Sequence, residues 1–365
     1  MSQNNKLFRV LNEYIYFDDA QESQEYAKKN PGKVVIRNSN PIEPIIHAEP
    51  VLKDLKLDKT PNKILQHLNQ YVISQDEAKK DIALAMYYHS LKSEYSSNEE
   101  IGTNGPVMLV GPTGSGKTFI TQKACEYIDT IFVHVDTSSM VPEGIVGYAI
   151  GDLAKSILKE ADYDMNRAEN CVVFFDEVDK LYVKDRGSSN YGEKVSNQLL
   201  RLLEGTKIRI TDKLTLDTSN MQFILGGAFQ WILDRKREED NPKITLDDLY
   251  EESIPKELLG RMNTIVNLSR LSEDDYFNIL KNSKSSPLQE LINKVEFHGD
   301  KVQISDETLH QVANIAAQSE LGVRAVKQTL KNMFSDALFD TADGTYKTHR
   351  ISYKESYGSL RKLLL

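Results

Sequence analysis

Cysteine is nearly absent from this 365-residue chain: Cys125 and Cys171 are the only two, and they stand far apart. That excludes a disulfide framework and a four-cysteine zinc site, and both thiols are expected to be reduced and buried in apolar settings. Long hydrophobic runs are missing as well. No stretch reaches the ~18 uninterrupted apolar residues of a membrane span, and the opening MSQNNKLFRV lacks the apolar centre of a signal peptide. The expectation is a soluble, cytoplasmic protein with no membrane partner. Positive charge is in deficit, since 45 Lys and Arg against 54 Asp and Glu leave a formal net charge of -9. A net-acidic chain is a poor default binder of nucleic acid, because neutralising phosphates needs clustered Lys and Arg. What remains, 40% hydrophobic and 27% charged residues, is ordinary for a globular protein, and the length allows two or three domains.

Residues 1 to 55 read as a small unit of their own. The run LFRVLNEYIYF (7–17) is rich in aromatic and β-branched residues, and DDAQESQEYAKK (18–29) is expected to be helical with Asp18 or Asp19 as N-cap. Asn30-Pro31-Gly32 signals a turn before a short strand, KVVIR (33–37), and Pro41, Pro44 and Pro50 mark a linker-like stretch.

From about residue 60 strand and helix signals alternate, which predicts a parallel sheet covered by helices. The helix SQDEAKKDIALAMYYHSLKSEY (74–95) opens on a capping-box pattern, Ser74 with Glu77. Strands are expected at 106–110, 131–136, 171–176 and 221–227, with helices at 59–72, 117–128, 150–162 and 193–205. After about 268 the strand signals give way to four helical segments, which predicts a second, smaller, mostly helical domain. The expected division is 1–55, 56–268 and 269–365.

The strongest chemical signal is Gly111-Pro112-Thr113-Gly114-Ser115-Gly116-Lys117-Thr118, a complete G-x-x-x-x-G-K-[ST] loop between an apolar strand and an apolar helix start. Glycines let the backbone turn so that its N–H groups wrap phosphates, and the helix that follows points its positive end at them. Lys117 supplies a charge for the β- and γ-phosphates of ATP, and Thr118 a hydroxyl for Mg2+. The second signal is CVVFFDEVDK (171–180), a wholly apolar strand that ends in two carboxylates. Asp176 is expected to complete the Mg2+ shell, and Glu177 to orient and deprotonate the attacking water.

With those residues in place, the chain from about 60 to 340 resembles the AAA+ module of the ClpX/HslU unfoldases. The stretches YVISQDEAKKDIALAMYYH, GPTGSGKT, YDMNRAENCVVFFDEVDK, LLRLLEGT, FILGGAF, IPKELLGRM and SELGVRAV occur in the family's order. The resemblance implies an α/β fold: a P-loop NTPase with a five-stranded parallel sheet and helical layers, followed by a small helical lid. It also implies an ATPase that works as a homo-oligomeric ring, a hexamer by family expectation, on polypeptide substrates. It assigns Tyr71, Val72 and Ile73 to the adenine base, Arg261 to an arginine finger that enters the next subunit's site, and Arg324 to a phosphate sensor in the lid. Read locally, these are apolar residues before a helix and two solvated charges. The polar residue that many AAA+ proteins carry at the end of the fourth strand is replaced by Gly226 and Gly227, as in ClpX-like proteins.

Three departures from ClpX bear on function. Residues 1–55 carry no cysteine, so they are not the zinc domain of ClpX and have an unknown partner. The first pore loop reads Gly144-Ile145-Val146-Gly147-Tyr148, with Ile145 where ClpX has tyrosine. Ile145, Val146 and Tyr148 are expected to touch substrate, as is Tyr191 in the Gly/Ser-rich stretch 183–195 that matches the second pore loop. The insert QWILDRKREEDNPKITLDDLYEES is short, charged and without the Ile-Gly-Phe tripeptide that docks ClpP, so no ClpP partnership is expected. Two other readings stand beside the ATP-driven unfoldase: a nucleotide-switched ring scaffold that presents residues 1–55, and a DNA-associated AAA+ ATPase.

Overall fold

The computed structural model describes residues 6–10, 13–17, 28–29, 35–37, 58–94, 105–140, 150–182, 189–236, 242–252, 254–344 and 347–353. Contacts divide the chain into two units, Met1–Asp58 and Lys59–Leu365. In the first, β1 (Lys6–Val10) pairs antiparallel with β2 (Glu13–Phe17) and with β3 (Val35–Arg37), in the order β2-β1-β3. The β-rich reading of 7–17 and the strand within 33–37 agree with this. Most of the helix expected over 18–29 lies outside the described residues.

The second unit is built on a five-stranded sheet of β4 (Val107–Val110), β5 (Phe132–Asp136), β6 (Val172–Asp176), β9 (Gln222–Gly227) and β10 (Thr264–Asn267). A small antiparallel pair, β7 (Lys207–Arg209) with β8 (Thr215–Asp217), lies in the chain between β6 and β9. The five strands are all parallel, in the order β10-β4-β9-β6-β5. Four of them match the expected strands within a residue. The fifth, β10, carries the sequence TIVN, too short and too polar at its ends to announce itself.

Side-chain alternation explains why these runs are apolar throughout. In β6, Val173 and Phe175 enter one core while Val172 and Phe174 enter the other. Met108 and Val110 of β4 join the first, and Val107 and Leu109 the second. A strand buried on both faces has no solvent side on which to place polar residues. The helices Pro61–Tyr71, Asp76–Glu94 and Lys117–Ile128 cover one face. Ile150–Glu160, Ser189–Leu203 and the short helices Gln230–Arg235, Leu246–Tyr250 and Lys256–Leu259 cover the other. Cys125 and Cys171 are buried free thiols, as expected.

A third core begins at Leu271, among the helices Glu273–Asn282, Pro287–Glu296, Asp306–Gln318 and Val323–Ala342. All four follow the expected segments. The strand signals there were weaker than the result: β11 (Lys301–Ile304) and β12 (Thr348–Ile351) form a parallel pair. It is pinned by buried Asp300, whose carboxylate accepts from Thr341 Oγ1 at 2.6 Å and faces His349 Nε2 at 2.7 Å. No described helix is long and apolar enough to cross a membrane.

The expected helix start at Ser74 is corrected by the structure. The helix expected to start at Ser74 starts at Asp76, and Ser74 and Gln75 both hold left-handed φ, 59° and 61°. Ser74 is therefore not the N-cap. Gln75 is committed elsewhere: its side-chain amide donates to the Ser269 carbonyl at 2.8 Å and accepts from the Ser269 N–H at 2.9 Å. A two-way amide bond across the fold outweighs a local cap, each bond contributing about 1 kcal/mol.

His89 ties the helix Asp76–Glu94 to the start of β6 through Nε2 and the Asn170 carbonyl, 3.0 Å apart, and burial pushes its pKa down to about 4. The unfolded chain, with His near 6.5, then binds more protons than the folded one across that interval. Stability is expected to be fully present above pH 6.5 and to fall toward pH 4, by at most ~1.4 kcal/mol per pH unit from this residue. Urea unfolding of His89→Gln, which keeps an N–H for the carbonyl, is expected to show a shallower slope over that range than the parent.

Candidate functional site

β4, β6 and β9 finish at one edge of the sheet, and open parallel sheets bind ligands in the crevice outside their carboxyl ends. A cavity of about 410 Å³ opens there. The structure brings into its walls Tyr71, Val72 and Ile73, the loop residues Thr113, Gly114, Ser115, Gly116, Lys117 and Thr118, Asp176 and Glu177 from the end of β6, and Arg324. Gly111 and Pro112 complete the loop and receive Lys117 Nζ on their carbonyl oxygens at 2.6 and 3.0 Å.

The loop's path needs glycine where it touches the C-terminal helices. At Gly114, with φ 75°, a Cβ would stand 2.6 Å from the Leu321 carbonyl oxygen and 3.1 Å from the Gly322 Cα. Gly322, with φ 55°, precedes the helix Val323–Ala342, so two glycine backbones meet at van der Waals distance. Gly116 precedes the helix Lys117–Ile128, whose free N–H groups and positive dipole end face the cavity loop. Within this cradle the Ser115 hydroxyl oxygen is buried without a hydrogen-bond partner. An orphaned hydroxyl beside the free N–H groups of a helix start fits an anion such as a phosphate. Burial lowers the Lys117 ammonium pKa, with the Asp176 carboxylate opposing the shift.

Asp176 is held from several sides. Its Oδ2 accepts from Thr118 Oγ1 at 3.1 Å and faces His134 Nε2 at 3.2 Å, while its Oδ1 accepts the Glu177 N–H at 2.9 Å. A hydroxyl beside a carboxylate is a donor set for a hard cation, so Thr118 and Asp176 would hold Mg2+. When bound, the ion supplies positive charge to neutralise the phosphates. Glu177 stands in the left-handed region, φ 58°, and its carboxylate pairs with Lys180.

Comparison with known proteins agrees with this geometry. Residues 103–265 match the family described as AAA domain (Cdc48 subfamily). The ATP-dependent Clp protease ATP-binding subunit ClpX 2 of Wolinella succinogenes is 28% identical over 306 residues, 77% of each chain. Over these residues the chain is similar to ClpX-like AAA+ proteins, a resemblance that supports ATPase activity with nucleotide and Mg2+.

In the same cavity, the segment after the helix Pro61–Tyr71 is tied to the C-terminal helices and to the helix Asp76–Glu94. Ser283 Oγ donates to the Tyr71 carbonyl at 2.7 Å, and Lys79 Nζ to the Val72 carbonyl at 3.3 Å. The Tyr71 ring packs against His67 and has Lys123 Nζ 5.0 Å from its centre. Arg324 lies in the first turn of the helix Val323–Ala342, and Lys327, one turn further, joins it in the cavity. Lys327 was missed, although its i,i+3 spacing from Arg324 in GVRAVKQ puts both on one helix face. Asp179 and Lys180 were missed too; both line the cavity and belong to the 3-10 turn Val178–Leu181 that follows Glu177.

Arg261 is not brought into the cavity. It follows the helix Lys256–Leu259, is about half exposed, and pairs with Glu204. Ile145, Val146 and Tyr148 lie outside the described residues. The 183–195 stretch, expected as a loop, is helical from Ser189 onward, so Tyr191 belongs to a helix start. Within the insert, Arg235 pairs with Glu252 at 2.7 Å and Lys236 with Asp248 at 2.8 Å, so its charges close on one another.

Gly114→Ala is expected to weaken nucleotide binding roughly tenfold or more, because a methyl group must displace backbone at 2.6 Å and adopt a disfavoured φ. Titration with a fluorescent ATP analogue measures this directly; unchanged affinity would mean that the contact with Leu321 and Gly322 does not shape the loop.

Proposed function

We propose that this chain is an ATP-driven protein unfoldase: a homo-oligomeric ring, with six subunits by family expectation, that hydrolyses Mg2+-ATP and moves pore loops along a polypeptide. The observation that carries the reading is the single cavity in which the phosphate loop, Asp176, Glu177, the 71–73 segment and Arg324 meet. In this reading Lys117 and the loop N–H groups bind the phosphates, and Tyr71, Val72 and Ile73 pack on the base. Glu177 takes the proton of the attacking water, and Arg324 reports the phosphate state to the C-terminal helices. Arg261 serves the neighbouring subunit's site, which accords with its place outside its own cavity.

The domain reading is 1–55, a large ATPase domain over 56–268 and a lid over 269–365, with residues 1–55 serving an unknown partner. Ile145, Val146, Tyr148 and Tyr191 are the proposed substrate contacts. Ile145 offers less gripping area than an aromatic, so pull on a tightly folded substrate is weaker. ClpP is not part of the reading, since the 230–253 insert lacks Ile-Gly-Phe and is largely charged. The relative in Wolinella succinogenes is named as a Clp protease subunit, and the missing tripeptide is the reason that this partnership is not carried over. The separate three-stranded unit at the N-terminus favours a second reading, a nucleotide-switched scaffold with little unfolding activity.

The deciding experiment is ATP-dependent unfolding of a tagged fluorescent protein by wild type beside Glu177→Gln. Loss of fluorescence with wild type alone supports the motor. ATP hydrolysis that ignores every unfolded substrate supports the scaffold. A second expectation concerns Arg261→Ala: nucleotide affinity stays near wild type while ATP turnover drops about 10³-fold, as for other arginine fingers supplied in trans. Turnover that persists at wild-type rates would remove Arg261 from the reaction.

A further inference from the structure

Gly226 and Gly227 leave the end of β9 without a polar side chain, yet a polar group stands beside that end. It comes from the neighbouring strand's turn. Asp179, 7% exposed, lies in the 3-10 turn that follows β6, and its Oδ2 accepts the Phe229 N–H at 3.2 Å. The Ala228 N–H adds a favourable electrostatic pull on the same carboxylate. The space is reserved for it: a Cβ on Gly227 would stand 3.2 Å from Asp179 Oδ1 and 2.4 Å from the Phe229 ring. Gly227 is therefore the residue that lets the carboxylate reach the backbone.

The two chain segments that Asp179 joins are both strained. Glu177, two residues before it, holds φ 58° and ψ 33°. Phe229, fully buried, holds φ 46° and ψ 41° at the start of the helix Gln230–Arg235. Non-glycine residues remain in the left-handed region only where their surroundings over-determine them. One buried carboxylate bonded to the backbone of 229, and covalently two residues from 177, is such a determinant. It also lines the ATP cavity. Burial raises the Asp179 carboxyl above the ordinary range, and the backbone N–H groups of Phe229 and Ala228 work against that rise.

We propose that Asp179 is the positioning residue for Glu177: by bonding, from the turn after the adjacent strand, the backbone that follows β9, it holds Glu177 in the left-handed conformation that aims its carboxylate into the cavity. The inference rests on Glu177 acting as the base. Asp179 touches no reacting atom in this scheme. It acts through the backbone of 177 and of 229, so an acceptor oxygen, rather than a negative charge, is what the position requires.

The test compares Asp179→Ala, Asp179→Asn, Glu177→Gln and the double variant Glu177→Gln/Asp179→Ala by steady-state ATP hydrolysis, by affinity for a fluorescent ATP analogue and by thermal midpoint. Asp179→Ala is expected to lower kcat roughly 10- to 100-fold, the scale of a misplaced catalytic group, with analogue affinity unchanged. Asp179→Asn retains an acceptor for the Phe229 N–H and is expected to restore kcat to within about threefold of wild type. In the double variant, losing Asp179 should add nothing to the loss from Glu177→Gln, because both act through one carboxylate. The proposal is overturned if Asp179→Asn falls as far as Asp179→Ala, if affinity falls in step with kcat, or if the double variant is slower than Glu177→Gln alone. Should Asp179→Ala fail to fold, the Asp179→Asn result decides. A wild type without ATP turnover would instead remove the base assignment on which all four comparisons stand.

Discussion

A parallel strand buried on both faces can place polar chemistry only where it stops, and the architecture of this molecule follows from that constraint. β4 is apolar throughout, and β6 and β9 are apolar between their ends, because helices cover both sides of them. At their carboxyl ends the backbone must leave the sheet, and its polar groups must find partners at once. The loop after β4 runs into the free N–H groups at the start of the helix Lys117–Ile128. The end of β6 presents two adjacent carboxylates, and the end of β9 presents bare backbone that Asp179 satisfies. Three consecutive exits from one buried sheet thus concentrate donors, acceptors and charge in a single crevice.

Close backbone approach then links this crevice to the C-terminal helices. Gly111 packs under the Leu268 carbonyl, where a Cβ would lie 2.4 Å away, and Gly114 meets Gly322 and the Leu321 carbonyl. Gln75 clamps Ser269 through both faces of its amide, beside the chain's exit from β10 into the third core. Contacts without intervening side chains transmit displacement with little slack. A small change in the loop's path therefore has to appear in the start of the helix Val323–Ala342, where Arg324 and Lys327 lie. This gives a physical route from phosphate to helix orientation that needs no flexible intermediary.

Much of the fold and half of the site could be read from the amino acids because the evidence for them is local. The phosphate loop is a contiguous stretch whose glycines, lysine and threonine each have a separate physical job, and β6 with Asp176 and Glu177 is one uninterrupted pattern. Three of the four C-terminal helices begin at serine caps that the sequence displays openly, Ser272, Ser286 and Ser305. What escaped depends on partners distant in the chain. Ser74 looked like a cap because nothing nearby reveals that Gln75 is bound to Ser269. β10 is a four-residue edge strand whose identity comes from pairing with β4. Asp179 sits in plain view in DEVDK, but its importance arises only when β9 arrives beside it without a side chain of its own.

The arrangement of charge in the cavity carries one further consequence. Lys180 pairs with Glu177, and Lys117 bonds the carbonyls of Gly111 and Pro112, so the proposed base and the proposed phosphate-binding cation each have a competitor nearby. Neutral carbonyls are weak rivals for an ammonium group beside a polyanion, and the Lys117 contacts should yield to phosphate. The Glu177–Lys180 pair is different, because the lysine occupies a carboxylate oxygen that a water would otherwise meet. Lys180 also lines the cavity, where phosphate charge attracts it from the same side on which Glu177 must act. Nucleotide would then free its own base: the anion that needs hydrolysing competes for the cation that restrains Glu177, and the strained turn pinned by Asp179 keeps the carboxylate from following that cation away.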